Sequence, residues 1–237
     1  MVVAIHQPHY FPWIGYFDKM AKVDKFILLD EVQLQNSSFM FRNRLLAKCG
    51  TVKYITVPYH KKSFLTKKYS EIEINNQIDW QKRHLSFIRE NYNKSPYLCD
   101  ILDAIEKIFG NDYIWLCDVT VESVIAIKEL LKVNTEIILQ SSLEYDRKAV
   151  KGDLVLEICK SIGAKTYISG KGASVDYLNS IGFDKNCINV IFQEFRHPTY
   201  QQLHGNEFIS GISALDMLLS CGIQQSRDIF WNSVNGE

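Results

Sequence analysis

Within the first thirty residues two apolar runs, at 2–5 and 26–29, stand on either side of a single helical pattern. Trp13, Ile14, Phe17, Met20 and Ala21 recur at the spacing of one helix face. Strands joined through a helix lie parallel and cross over with a right hand, because a short turn can join only antiparallel neighbours. This opening predicts an α/β fold: a mainly parallel sheet flanked by helices, with ligands held at the carboxyl ends of its strands.

The rest of the chain extends that reading. TVKYITVPYH reads as a third strand, KKSFLTKK as a Lys-rich surface loop, and YSEIEIN alternates as an edge strand would. From Trp80 the pattern changes to three helical stretches, WQKRHLSFIRENY, YLCDILDAIEKIF and DYIWLCDVTVESVIAIKELLKV. They form a mostly helical insertion at about 79–133. Strand and helix then alternate again through TEIILQSSL, DLVLEICKSIG, KTYISG, ASVDYLNSI, NVIFQEF and ISALDMLLSCG. Gly163 is placed as a helix-ending glycine. The expected organisation is one α/β domain over 1–237, with a central helical lobe and a sheet drawn from both halves of the chain.

Composition narrows the partners. Lys plus Arg (27) balances Asp plus Glu (27), so no overall field recruits nucleic acid or an anionic membrane. No apolar run approaches the roughly 20 residues that span a bilayer, and the opening lacks a basic leader. A cytoplasmic protein without membrane insertion is expected. The six cysteines show no C-x-x-C, and five lie in or beside apolar segments, as buried reduced thiols do. Neither a disulfide framework nor a metal centre is predicted.

The chemistry-bearing residues cluster where strands end. His6, Gln7 and His9 follow the first strand, where a hydrogen-bonding or phosphate-contacting role is expected; two imidazoles are too few for a metal. Pro12 suits the first turn of a helix, and Gly15 leaves its backbone N–H groups open to an anion. Asp30 and Gln33 end the second strand and suit substrate orientation. Arg42, Asn43 and Arg44 are either oxyanion-binding residues or a charged surface helix. Ser169, Gly170, Lys171 and Gly172 sit between a strand and a helix beginning near Ser174. They do not match a P-loop, yet a glycine-flanked lysine in that position suits an anion. No G-x-S-x-G elbow supports a serine hydrolase.

These blocks together resemble the WbqC-like family. The resemblance rests on HQPHYFPWIGYFDKM, LDEVQLQ followed by RNRLL, DWQKRHLSFIRENYNKSPY, YISGKGASVDYL, and the Tyr200/Gln202, Phe208, Ser213/Asp216 pattern near the end. It implies a role in bacterial surface-polysaccharide biosynthesis, usually of O-antigen; the expected partner is a nucleotide-linked sugar. A second likeness is to adenylate-forming and nucleotidyl-transferring enzymes of HUP-like, nucleotide-binding fold. Trp13-Ile14-Gly15-Tyr16 occupies the spacing of their H-x-G-H turn, with the glycine kept and both histidines replaced. The expected activity is N-acylation or aminoacylation of an amino sugar, with ATP or an acyl or aminoacyl donor as co-reactant. His6 or His9 carries the proton. Lys171, Arg42 and Arg44 bind phosphates or a carboxylate, Asp30, Gln33 and Asn43 orient the substrate, and the helix start at Gly15 and Tyr16 faces the oxyanion. The alternative is a non-catalytic nucleotide-sugar-binding or scaffold protein of the same pathway.

Overall fold

The computed structural model describes residues 1–36, 38–62, 64–172 and 180–236. In chain order the first half holds β1 (Val2–His6), α1 (Ile14–Ala21), β2 (Lys25–Leu28), β3 (Arg42–Leu46) and β4 (Val52–Thr56). Three helices follow, α2 (Trp80–Asn91), α3 (Leu98–Gly110) and α4 (Leu116–Leu130). The second half adds β5 (Glu136–Leu139), α5 (Lys151–Ser161), β6 (Thr166–Ser169), α6 (Ser180–Lys185), β7 (Asn189–Phe192) and α7 (Ala214–Asn235).

Five strands form one parallel sheet in the order β5-β2-β1-β6-β7. The α/β fold read from the opening is therefore the fold of the chain. Numbered within the sheet alone the order is 3-2-1-4-5, the doubly wound arrangement in which strand order reverses beside the first strand. That reversal lies between β1 and β6. Pairing of β1 with β2 runs to His6↔Leu28, whereas pairing with β6 runs to Ala4↔Ile168. Two residues of β1 thus extend past the ladder on the β6 side, where a crevice opens. Val3, Ala4 and Ile5 are buried, as a central strand covered on both faces requires.

β3 and β4 pair antiparallel as a separate two-stranded sheet, from Arg42↔Thr56 to Leu46↔Val52. The third strand expected from TVKYITVPYH exists, but outside the parallel sheet. RNRLL is a strand and not a surface helix, because Arg42, Asn43, Arg44 and Leu45 are half-buried and buried in turn, the period of a strand. YSEIEIN makes no edge strand. Its Tyr69 hydroxyl is drawn into the core, donating to the Met40 carbonyl at 2.6 Å and lying 2.7 Å from the Thr120 hydroxyl. The segment turns through a short 3₁₀ helix and touches its neighbours through isolated bridges at Glu73 and Ile74. The helix expected to start near Ser174 lies outside the described residues.

The three central helices appear where the sequence pattern places them, and α4 begins later than its pattern, at Leu116. Their apolar faces join α1, α7, the hairpin and one face of the sheet in a continuous core that includes Phe17, Trp80, Ile105, Val124 and Leu218. Of the cysteines, Cys117, Cys159 and Cys221 are buried, while Cys49, Cys99 and Cys187 are exposed, so three are buried where five were expected. Gly163 has φ +65° after α5 and its N–H bonds the Lys160 carbonyl, the expected helix stop. No helix among the described residues is long and apolar enough to cross a membrane.

Gly222 breaks α7 internally. Its φ of 76° and ψ of 170° lie in a region open only to glycine, and a Cβ there would stand 2.6 Å from the Tyr97 ring. Backbone strain and overlap act together, so Gly222→Ala is expected to cost about 3 kcal/mol or more in urea unfolding. A loss below about 0.5 kcal/mol would show that neither constraint operates.

Candidate functional site

The site is built on the turn between β1 and α1. Phe11 there has φ +42°, a conformation uncommon for a bulky residue. Its backbone is held from three directions. The N–H donates to Ser123 Oγ on α4 at 2.9 Å, and the carbonyl accepts from Asn43 Nδ2 on β3 and from Ser213 Oγ, each at 2.7 Å. Asn43 Nδ2 also donates to the Tyr10 carbonyl at 3.0 Å. Ser213 caps α7, accepting from the Leu215 N–H at 3.2 Å, and the Ala214 N–H donates to the Pro12 carbonyl at 2.8 Å. Three distant segments therefore fix the path of one turn.

This path sets the rings that follow. His6 and His9 stand edge to face with centroids 4.7 Å apart, and Tyr16 packs on both, at 4.8 and 5.4 Å. The Gln7 carbonyl accepts from His6 Nδ1 at 2.9 Å and from the Tyr16 hydroxyl at 3.1 Å. With Nδ1 donating, neutral His6 carries its lone pair on Nε2. Gly15 is explained by packing: a Cβ at that position would overlap the Trp13 indole, which lies over the first turn of α1. The indole in turn meets Phe195 edge to face at 5.2 Å.

At the crevice between β1 and β6 these residues line a cavity of about 600 Å³. His6, Trp13, Gly15, Tyr16 and Lys19 form one wall; Gly170, Lys171 and Gly172 form another; the segment from Gln193 to Arg196, just past β7, closes it. Gly170 and Gly172 have open space where a Cβ would be. Lys171 Nζ pairs with Glu194 at 3.2 Å, both exposed, a contact worth little in water. Gln193 ties the walls together: its amide donates to the Gly15 carbonyl at 2.9 Å and to Asp18 Oδ2 at 2.6 Å.

The charges on the cavity floor are governed by burial. Lys19 is 3% exposed, and desolvation of its ammonium lowers its pKa from 10.5 to about 7. Desolvation, with Lys19 adding to it, lowers His9 to about 3. His6 falls well below its ordinary value through burial first, then Lys19 and His9, opposed by its bond to the Gln7 carbonyl. Both imidazoles are thus neutral near pH 7, and the group brought into that range is Lys19.

Six of the residues singled out by sequence meet here: His6, Gly15, Tyr16, Gly170, Lys171 and Gly172. His9 and Gln7 lie directly behind them. Ser169 is fully buried at the end of β6, with its carbonyl accepting from the Gln193 N–H at 2.7 Å. The others are elsewhere. Asp30 is buried and accepts from the Ser141 N–H at 2.9 Å. Gln33 donates to the Leu65 carbonyl. Asn43 holds the turn, Arg44 donates to the Gly211 carbonyl, and Arg42 stacks on Tyr54 and lines a second cavity of about 730 Å³ with Tyr59 and His60. Sequence reading passed over Lys19, Gln193, Glu194, Phe195 and Arg196. The last four follow a strand's carboxyl end, which is itself the signal. Lys19 had none, since a lysine in a helix is ordinarily solvated.

The model of the WbqC-like protein family matches residues 7–228. The chain is 31% identical over 224 residues to the uncharacterized protein Rv1507c of Mycobacterium tuberculosis, covering 94% of each chain. No solved structure matches it.

Replacing Asn43 by Leu keeps the volume, removes the Asn43 donor from the Tyr10 carbonyl and leaves the Phe11 carbonyl with Ser213 alone. A loss of about 2–4 kcal/mol is expected by denaturant unfolding, with faster hydrogen exchange through the β1–α1 turn. Unchanged stability would mean that the turn holds itself.

Proposed function

We propose that this chain, which belongs to the WbqC-like protein family, is a surface-polysaccharide biosynthesis enzyme that N-acylates or aminoacylates a nucleotide-linked amino sugar. The observation that carries the reading is the cavity at the strand-order reversal, with cations and an indole around one opening. Its volume of about 600 Å³ suits a ligand of that size. Lys171 and Arg196 are disposed to hold a pyrophosphate. The Trp13 indole, which lines the cavity, offers apolar contact for a base or a sugar ring. His6 Nε2 accepts a hydrogen bond from a sugar hydroxyl or amine. The family's association with surface polysaccharides supports the substrate class, and the buried Lys19 amine beside His6 offers a group that can take a proton from an amine acceptor. The second substrate is an activated acyl or aminoacyl group, supplied preformed or made from a carboxylic acid with ATP.

Calorimetric titration with UDP, dTDP and GDP tests the binding half. At least one is expected to bind, and Lys171→Ala is expected to weaken it about tenfold or more, equivalent to 1.4 kcal/mol, with Tm unchanged. Absence of binding by all three contradicts the reading. Binding of nucleotide amino sugars without product from ATP plus carboxylic or amino acids, or from acyl thioesters, would make the chain a nucleotide-sugar-binding protein.

A further inference from the structure

Lys19 is an anomaly in a well-packed chain. A lysine side chain is almost never fully buried without a partner, because desolvating the ammonium costs several kcal/mol. Among the described residues Lys19 makes no ion pair. Its nearest carboxylate in sequence, Asp18, is committed elsewhere: Oδ1 lies 2.7 Å from Lys22 Nζ, and Oδ2 accepts from Gln193. The Lys19 amine has only a long 3.4 Å contact to the Ile5 carbonyl and the Phe26 ring, whose centroid is 5.7 Å away. That carbonyl belongs to the end of β1 that extends past its ladder with β6. The side chain therefore points to the crevice and lines the cavity beside His6.

We infer that Lys19 is the proton acceptor of the site, taking the proton released when the substrate's amine attacks an activated acyl carbon. The inference rests on the acyl-transfer reading and assigns the base within it. The amine nitrogen forms a C–N bond to the acyl carbonyl carbon, and its N–H proton passes to Lys19 Nζ, which becomes an ammonium. The bond from that carbon to its leaving group, a thiolate or a phosphate oxygen, breaks and carries away the electron pair. The ammonium then returns its proton to the leaving group or to water. Burial favours the unprotonated amine at the start; His6 and His9, which face it from β1 and the turn, are neutral, and the cations Lys171 and Arg196 lie across the cavity. Glu194 opposes them from an exposed position, paired with Lys171. Asp18 and Lys22, on its own helix, pair with each other. The imidazoles, neutral through the working range, bind and do not exchange the proton.

Trace acetylation with isotope-coded acetic anhydride from pH 6 to 10, read lysine by lysine by mass spectrometry, tests this on the intact protein. Lys19 is expected to reach half-maximal reactivity near pH 7, against about 10.4 for a lysine peptide added as standard. Saturating UDP is expected to reduce its labelling fivefold or more. A midpoint near that of the standard, or no labelling at any pH, overturns the assignment even where UDP binds. A midpoint near 7 with no nucleotide effect sustains the reactive amine and defeats the substrate reading instead. Lys19→Met is expected to keep or raise Tm, retain UDP binding and lose acyl transfer by about 100-fold or more. A Tm several degrees lower would make Lys19 a structural residue.

Discussion

Phe11 adopts a left-handed backbone that its ring disfavours, and it stays there because Asn43, Ser123 and Ser213 hold both of its peptide groups. Each of these comes from a different element, so the hairpin, the central helices and the last helix are all referenced to one residue. Without that anchor α1 would leave β1 at another angle. His6, Trp13 and Lys19 would not then share a wall. The hairpin, which adds nothing to the parallel sheet, has its structural purpose here.

Burial sets the chemistry of that wall. Apolar and aromatic packing around His6, His9 and Lys19 removes the water that would solvate their charged forms, so all three favour neutrality. Because their ordinary values differ, the same cause has opposite consequences. It moves two imidazoles out of the physiological range and one amine into it. A buried lysine with no ion pair among the described residues lowers the stability of the fold, and such local costs are characteristic of sites that act on a ligand.

The parallel sheet was legible because its strands are short apolar runs separated by helical patterns, and the crevice because ligand-binding residues gather at strand ends. HQPHYFPWIGYF and SGKG were recognisable as partners for that reason. Other features were hidden by their context. The alternation in RNRLL is only four residues long and carries two arginines, which resembles a solvated helix until Asn43 is seen inside the core. YSEIEIN alternates as a strand does, but the pull of the Tyr69 hydroxyl toward Met40 and Thr120 overrides it. Gly15 looked like an opening for an anion, and the neighbour that requires it is Trp13, two residues away. Lys19 was invisible because sequence does not report burial.

The central claim is that the crevice between β1 and β6 is the ligand site. Hydrogen–deuterium exchange with and without a saturating nucleoside diphosphate tests it most directly, since the two cavities draw on separate segments. Protection is expected over the β1–α1 turn, at 170–172 and at 193–196. Protection confined to the segments carrying Arg42, Tyr59 and His60 would place the ligand in the other cavity and contradict the account.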